Sequence, residues 1–270
     1  MIGNVYFDDN VIDLFLNGLQ EEFNFDFDPV YAFALPNSRN LITSLDRLRI
    51  YDENWKCIQD IDKINDEEIK PYGVALNIDD EKTYIADCRK HRILMIDFEF
   101  NLIKSVGSQG TEYNQFDEPF DLCLLNNNLY VCDSNNNRIQ VLNNNLEFLK
   151  SFEVDYKPYQ IKPLNSILAV QAKMEICFYN SSDLSLIQKY DHGLCVISKL
   201  NSNIYGFNNE AKKLFSYDED SNLSEVINFT ERSLKDTWDG ALCERNGVLF
   251  VISNSMRKII KFSHQLATKL

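Results

Sequence analysis

Short runs of hydrophobic residues alternate with polar turns along the chain, and the helical period is weak throughout. Residues 107–142 show the pattern most fully: a polar loop with two glycines precedes the apolar runs 122–125 and 129–132, which three asparagines separate. Asp133 ends the second run, and Arg138 begins a third one. Apolar runs of this length between Asn, Gly and Asp residues are typical of antiparallel β-strands. The stretch therefore predicts a polar loop followed by three strands joined by tight turns.

This unit recurs six times, at intervals of about 35 to 48 residues. The position just before the first strand holds an aromatic residue in five copies and a leucine in the other. The six residues are Tyr31, Tyr72, Phe120, Tyr159, Leu194 and Trp238. A fourth strand follows in most copies, and four-stranded repeats of this length are typical of propeller blades. The pattern predicts an all-β fold, a six-bladed β-propeller with four-stranded antiparallel blades.

We predict one domain over residues 1–270, with blades that begin near residues 30, 71, 119, 158, 193 and 237. The ring has to close, because an open sheet edge exposes unpaired backbone groups. Residues 4–16 resemble the third and fourth strands of a blade, so we expect residues 1–16 to supply a closing strand or hairpin, with residues 11–16 paired into the last blade. Residues 21–29 resemble a loop between blades. The C-terminal residues 259–270 resemble the same outer strands and compete for this place.

Two copies carry an acid and an arginine at identical spacing across the tight turn between their second and third strands. These residues are Asp87 with Arg92 and Asp133 with Arg138. Opposite charges that face each other across two strands stabilise the pair and fix its register. We therefore predict two structural hairpin pairs. The fourth copy has Val170 and Glu175 at these positions and lacks such a charge pair.

Residues 71–75, 84–87 and 92–93 resemble the NHL repeat, and so do residues 107–119 and 129–139. The resemblance implies a six-bladed propeller that binds a partner on one face, often as the last module of ubiquitin-ligase-type proteins. The RING, B-box and coiled-coil modules of those proteins do not occur in this sequence, so no ligase activity is expected. Some propellers of related type bind RNA, and others are lyases or lactonases that hold a metal in the central channel.

The five repeated aromatic residues are the main candidates for a binding site. They are Tyr31, Tyr72, Phe120, Tyr159 and Trp238. Each one precedes an innermost strand, so in a propeller they ring the channel on one face and offer a surface for a peptide or an unpaired base. Packing between blades is the alternative role for each. We expect a non-catalytic binding or scaffold propeller, a monomer without a cofactor, that recognises a protein or peptide through this face.

Charge and composition restrict the alternatives. The chain has 27 Lys and Arg against 41 Asp and Glu, a net charge of -14, which disfavours RNA as a partner and leaves an RNA-binding propeller as the second hypothesis. No run of about eighteen apolar residues and no signal-peptide pattern occurs, so the sequence predicts a cytoplasmic protein without a membrane segment. The seven cysteines show no CxxC spacing and are expected to be reduced.

A metal-dependent lyase or lactonase-like enzyme is the third hypothesis. Three histidines at unlike positions of their repeats argue against a histidine metal site. Asp121, Gln160 and Asp239 share one position that faces the predicted channel, so Asp121 and Asp239 are the residual candidates for an oxygen-liganded metal such as calcium. No GxSxG motif supports a serine nucleophile. We therefore expect neither an enzyme nor a bound metal.

Overall fold

A computed structural model describes residues 22–24, 29–35, 39–44, 46–54, 56–172, 174–191, 195–200, 203–208, 213–218, 220–228, 242–245, 248–253 and 258–262. These residues form 26 strands and two short 3-10 helices, Cys88–Lys90 and Ser134–Asn136. Within them, no helix has the length and apolar character that crossing a bilayer requires.

The first thirteen strands are β1 Glu22–Asn24, β2 Pro29–Ala34, β3 Asn40–Ser44, β4 Leu48–Tyr51, β5 Cys57–Ile61, β6 Lys63–Ile64, β7 Glu67–Glu68, β8 Pro71–Asn77, β9 Lys82–Asp87, β10 Arg92–Asp97, β11 Leu102–Val106, β12 Pro119–Leu125 and β13 Asn128–Asp133. The others are β14 Arg138–Asn143, β15 Phe148–Glu153, β16 Gln160–Leu164, β17 Ile167–Gln171, β18 Glu175–Asn180, β19 Leu186–Asp191, β20 Cys195–Leu200, β21 Asn203–Asn208, β22 Lys213–Tyr217, β23 Leu223–Asn228, β24 Leu242–Arg245, β25 Val248–Ser253 and β26 Lys258–Phe262.

Twenty-four of these strands form six four-stranded antiparallel sheets, and β6 pairs with β7 in a separate hairpin. Five sheets each take four consecutive strands: β2 to β5, β8 to β11, β12 to β15, β16 to β19 and β20 to β23. The sixth has the order β1, β26, β25, β24. The prediction of an all-β chain built from four-stranded antiparallel sheets is confirmed.

The N-terminal strand enters the sixth sheet at a place that the sequence did not indicate. Phe23 of β1 lies opposite Ile259 of β26. The expectation of a loop over residues 21–29 is therefore wrong for Glu22–Asn24. The edge of β26 presents backbone groups that a short strand can satisfy, even one with little hydrophobic pattern of its own. Residues 1–16, and with them the proposed pairing of residues 11–16, lie outside the described residues.

Hydrophobic clusters lie between successive sheets because strand side chains alternate between two faces. In β9, Ile85 packs into a cluster with residues of the β2–β5 sheet, whereas Tyr84 and Ala86 pack into a cluster with residues of the β12–β15 sheet. Both faces are thus buried, which explains the unbroken apolar runs in the sequence. The first strands of neighbouring sheets also contact one another: β8 contacts β2 and β12, β16 contacts β12 and β20, and β24 contacts β20 and β2.

The two acid–arginine pairs span the tight turns between second and third strands. Arg138 donates from Nε to Oδ2 of Asp133 at 2.7 Å, and Arg92 donates to Oδ2 of Asp87 at 2.8 Å. Both carboxylates are fully buried. The second oxygen of Asp87 accepts the backbone N–H of Lys70 at 2.8 Å. Each pair therefore connects its turn to the chain segment that leads into its own sheet.

Arg138 also organises the long connection that precedes its sheet. Its two terminal nitrogens donate to three carbonyl oxygens of that connection at 2.6 to 3.0 Å. The acceptors are Thr111, Glu112 and Gln115. Arg92 does the same for the earlier connection by donating to Oε2 of Glu67 in β7 at 2.6 Å. The arginines thus fix the connections between sheets as well as the hairpins.

Replacing Arg138 by leucine should lower the free energy of unfolding by about 3–5 kcal/mol, because the change leaves the buried Asp133 carboxylate without its cationic partner and three loop carbonyls without their donor. Urea unfolding of the purified variant measures this loss. The matched control is Arg47→Leu, since Arg47 pairs with Asp46 and Asp60 at the surface and should contribute less than about 1 kcal/mol. Equal small losses in both variants would contradict the role of Arg138.

Candidate functional site

Three of the predicted aromatic positions lie side by side. The ring centroids of Tyr72 and Phe120 are 4.5 Å apart, and those of Phe120 and Tyr159 are 5.5 Å apart. All three side chains are partly exposed. The pairing registers of β8 and β12 shift just after Pro71 and Pro119, so Tyr72 and Phe120 fall outside the regular ladder at the start of their strands. We term Tyr72, Phe120 and Tyr159 the aromatic row.

The other two predicted aromatic positions, Tyr31 and Trp238, are not part of the aromatic row. Tyr31 lies in β2, where the pairing register shifts between Pro29 and Tyr31 as it does in the neighbouring sheet, but its side chain is outside the described part of the structure. Trp238 lies outside the described residues altogether. The described row therefore spans the first strands of three successive sheets.

A chain of polar contacts runs beside the aromatic row. Glu118 lies 3.4 Å from Arg89 through its Oε1, and its backbone N–H donates to Nδ1 of His91 at 3.1 Å. Oδ1 of Asp117 lies 3.4 Å from the same Nδ1 atom and accepts from the amide of Asn135 at 3.2 Å. We term the six residues that these contacts join the polar row: Arg89, Glu118, His91, Asp117, Asn135 and Lys157. Lys157 donates from Nζ to the side-chain oxygen of Asn135 at 2.8 Å.

The topology places both rows on one face. Pro71 pairs with Asp87 and Pro119 pairs with Asp133, so the turns that carry Arg89 and Asn135 lie at the same end of the sheets as the starts of β8 and β12. Arg89 and Glu118 both act electrostatically on the Tyr72 phenol. The aromatic row and the polar row therefore border each other across three sheets.

Burial raises the pKa of two acidic side chains on this face, so both stay protonated well above neutral pH. It raises the pKa of the Tyr72 phenol, and it raises the pKa of the Cys88 thiol to about 12, with Glu118 acting in the same direction on both. A thiol with so high a pKa is not a nucleophile near pH 7. Tyr72 can donate a hydrogen bond there, and Cys88 serves as packing.

His91 occupies a turn position with a left-handed backbone, φ 53°, which Asn137 takes in the next sheet with φ 50°. Asparagine adopts this conformation readily, so the histidine replaces the usual residue of the turn. Since Nδ1 accepts the N–H of Glu118, the ring hydrogen of the neutral side chain belongs to Nε2. His91 thus offers one N–H donor at a partly exposed position of the face.

Asp121 follows Phe120 directly and is fully buried. Its Oδ2 accepts from Nζ of Lys162 at 2.7 Å and from the backbone N–H of Ile161 at 3.0 Å, so it joins the first strands of two sheets. Within the described residues, its Oδ1 has no hydrogen-bond partner. On the other side, a Cβ at Gly73 would lie 2.4 Å from Oδ1, so only glycine permits this close approach of β8 and β12.

These side chains do not fit the metal that the lyase and lactonase hypothesis requires. Among the described residues, no group of three His, Cys, Asp or Glu side chains is arranged to hold an ion. The Lys162 ammonium already neutralises Asp121, whereas calcium requires several oxygen ligands around it. Gln160 is buried at the equivalent position of β16, and Asp239 lies outside the described residues. Asp121 is therefore part of a buried ion pair between sheets.

Comparisons with known proteins agree with the fold. The family model described as the NHL repeat matches residues 116–142, and NHL repeats are found in β-propeller proteins. The resemblance seen in the sequence is thereby confirmed for this stretch, which includes Phe120, Asp133 and Arg138. Over the other copies, the resemblance stays a prediction. No curated protein matches the sequence significantly.

Solved structures resemble the chain over most of its length at low identity. A streptogramin B lyase structure is 14% identical with a TM-score of 0.63, over 89% of this chain and 96% of that one. A catalytically inactive histidine-to-alanine variant of virginiamycin B lyase from Staphylococcus aureus, solved with quinupristin, is 12% identical with a TM-score of 0.67, over 91% and 88%. Hydrazine synthase from Kuenenia stuttgartiensis is 12% identical with a TM-score of 0.66, over 92% and 80%. These neighbours are propeller proteins, so the likeness establishes a β-propeller fold.

The expectation of a non-catalytic binding module has to be corrected. Two of these three similar structures are lyases, so the fold gives no ground for expecting a role without catalysis. The expectation relied on the absence of short catalytic motifs. A propeller assembles a face from turns of several blades, so its polar groups are far apart in sequence and leave no such motif.

The contacts that join the polar row and the pairing of Lys162 with Asp121 escaped the sequence reasoning for the same physical cause. Asn135 and Lys157 are 22 residues apart, and Lys162 and Asp121 are 41 residues apart. One signal was present: Lys162 lies two positions after Gln160, so the period of two in a strand puts it on the same side of β16. The repeat alignment alone does not say which side chains bridge two sheets.

Replacing Lys162 by methionine should lower the free energy of unfolding by about 3–5 kcal/mol, because Asp121 is left as an unpaired buried carboxylate. Adding Asp121→Asn should recover most of that loss, since the amide oxygen still accepts the N–H of Ile161. Urea unfolding of both variants and of the exposed control Lys157→Met tests the pairing. Calcium should leave the wild-type melting temperature unchanged. A calcium-dependent rise that Asp121→Asn abolishes would contradict this account.

Proposed function

We propose that the chain folds as one six-bladed propeller domain over residues 1–270, with the last blade completed by β1. The pairing of β1 with β26 supports this closure. The contacts that link the first strands of neighbouring sheets, from β2 through β8, β12, β16 and β20 to β24 and back to β2, support a ring of six. A closed ring satisfies the sheet edges, which is the physical reason for such an arrangement.

We propose further that the protein is an enzyme of the lyase type, whose substrate binds on the face that carries the aromatic row and the polar row. The observation that carries this proposal is that the two rows lie side by side across three sheets, in a fold shared with streptogramin B lyase. Aromatic rings provide a large contact area at low entropic cost, and polar groups beside them orient a reacting bond. The ion pair of Asp121 excludes that residue from the reaction.

The polar row contains the groups that an elimination needs. A lyase reaction requires a base that removes a proton and an acid that protonates the leaving group. Glu118 is the proposed base, because its carboxylate is 28% exposed and acts electrostatically on Tyr72. His91 is proposed to assist the leaving group by donating a hydrogen bond from its Nε2–H, while water supplies the proton, because a neutral imidazole is too weak an acid to release it. In virginiamycin B lyase a histidine-to-alanine variant is catalytically inactive, which supports a histidine at such a site.

The test uses quinupristin as the first probe, with mass spectrometry of the products. Elimination adds no water, so a lyase should convert this cyclic substrate into a ring-opened product of the same mass, which chromatography separates from the substrate. Glu118→Gln should reduce the rate by about 10²–10⁴-fold. His91→Asn should do the same while keeping the turn, since Asn137 already occupies the equivalent position.

Lys104→Gln is the control, because Lys104 contacts the backbone of Asn145 from the outer strand β11 and lies in neither row. Its rate should equal that of the wild type. Products that gain one water would identify a hydrolase instead. Unchanged rates in Glu118→Gln and His91→Asn, or no conversion by the folded wild type, would contradict the proposal.

A further inference from the structure

The charges of the polar row are unequally available to a ligand. Arg89 is 74% exposed, and Glu118, its ion-pair partner within the described residues, lies at 3.4 Å, longer than the 2.7–2.9 Å typical of charge-assisted hydrogen bonds. Lys157 is exposed and donates to a neutral amide oxygen. No carboxylate lies within ion-pair distance of its Nζ in the part of the chain that the structure describes. Two cations are thus accessible, one from each end of the polar row.

The acids of the polar row are engaged more fully. Asp117 contacts His91 and Asn135 through Oδ1, and only 31% of its side chain is exposed. Glu118 is 28% exposed and lies against Arg89. Asp155, the acid nearest to Lys157 in sequence, acts electrostatically on Tyr179 and Lys189. A cationic ligand would have to displace these contacts, whereas an anion meets Arg89 and Lys157 directly.

The aromatic row lies between these two cations along the face. Arg89 acts on Tyr72 at one end, and Lys157 precedes Tyr159 by two residues at the other end. Phe120 in the middle contacts both tyrosines and carries no polar group of its own. A guanidinium beside an aromatic ring is suited to a planar carboxylate, because its fork of donors can bind both oxygens.

We infer that this face selects a small organic anion, a molecule that combines a planar apolar ring with one anionic group. The ring rests on Phe120 between the tyrosines, and the anionic group binds Arg89 or Lys157. The inference rests on the proposed function only in taking this face as the substrate site. A long polyanion such as RNA is disfavoured, because the net charge of -14 repels repeated phosphates at long range, whereas one anion needs only a local pair of cations.

Two nearly isosteric probes test the charge requirement on the full chain, 1-naphthylacetate and its neutral amide, 1-naphthylacetamide. Equilibrium dialysis gives the affinity of each. The acetate should bind at least about fivefold more tightly than the amide, the discrimination that one surface ion pair supplies. At least one of Arg89→Gln and Lys157→Gln should weaken acetate binding by about fivefold, and neither should change amide binding.

Phe120→Ala should weaken both probes by about tenfold, because it removes the ring contact and no charge. Lys104→Gln should bind both probes as the wild type does, and it controls for the loss of one positive charge elsewhere. Equal affinities of the two probes, unchanged acetate binding in both charge variants, or unchanged binding in Phe120→Ala would each overturn the inference. Circular dichroism confirms that each variant is folded.

The outcomes separate this inference from the proposed function. If the acetate is preferred as described and quinupristin is not converted, the lyase proposal fails and the ligand class stands. If quinupristin is converted and the two naphthyl probes bind equally, the ligand class fails and the lyase proposal stands.

Discussion

The buried ion pair of Asp133 and Arg138 determines how the described part of the chain is assembled. A carboxylate without solvent needs donors for its oxygens, and Asp133 receives them from Arg138, from the side-chain amides of Asn136 and Gln140 and from the backbone N–H of Asp117. Arg138 in turn satisfies three carbonyl groups of a connection that has no regular strand pairing of its own. One pair of charges thus fixes a tight turn, the following strand and the loop that enters the sheet.

The face with the two rows is a consequence of this arrangement. Asp117 and Glu118 stand at the end of the loop that Arg138 orders, so the position of the polar row depends on the same ion pair. In the next sheet, where Val170 and Glu175 replace the pair, other contacts hold the entry loop. Ser134 donates to the carbonyl oxygen of Pro158 at 2.5 Å, and the hydroxyls of Tyr156 and Tyr179 lie 2.5 Å apart. Tyr159 is thereby placed beside Phe120 without an arginine.

The sequence predicted those features that repeat, because each copy of the unit faces the same packing problem. The position of Phe120 in the aromatic row follows from its equivalents Tyr72 and Tyr159, and the four-stranded sheets follow from the order of apolar runs. Features that occur once were not predictable. The contacts of Arg138 with loop carbonyls, the pairing of Lys162 with Asp121 and the entry of β1 beside β26 join residues far apart in sequence, and no periodic pattern reports them.

The central claim is that the aromatic row and the polar row together form a ligand site. A crystal structure of the protein with 1-naphthylacetate tests it most directly. The account predicts the naphthyl ring in contact with Phe120 and the carboxylate within hydrogen-bond distance of Arg89 or Lys157. A ligand seated only on the outer strands of the sheets, with the face empty, would contradict the claim.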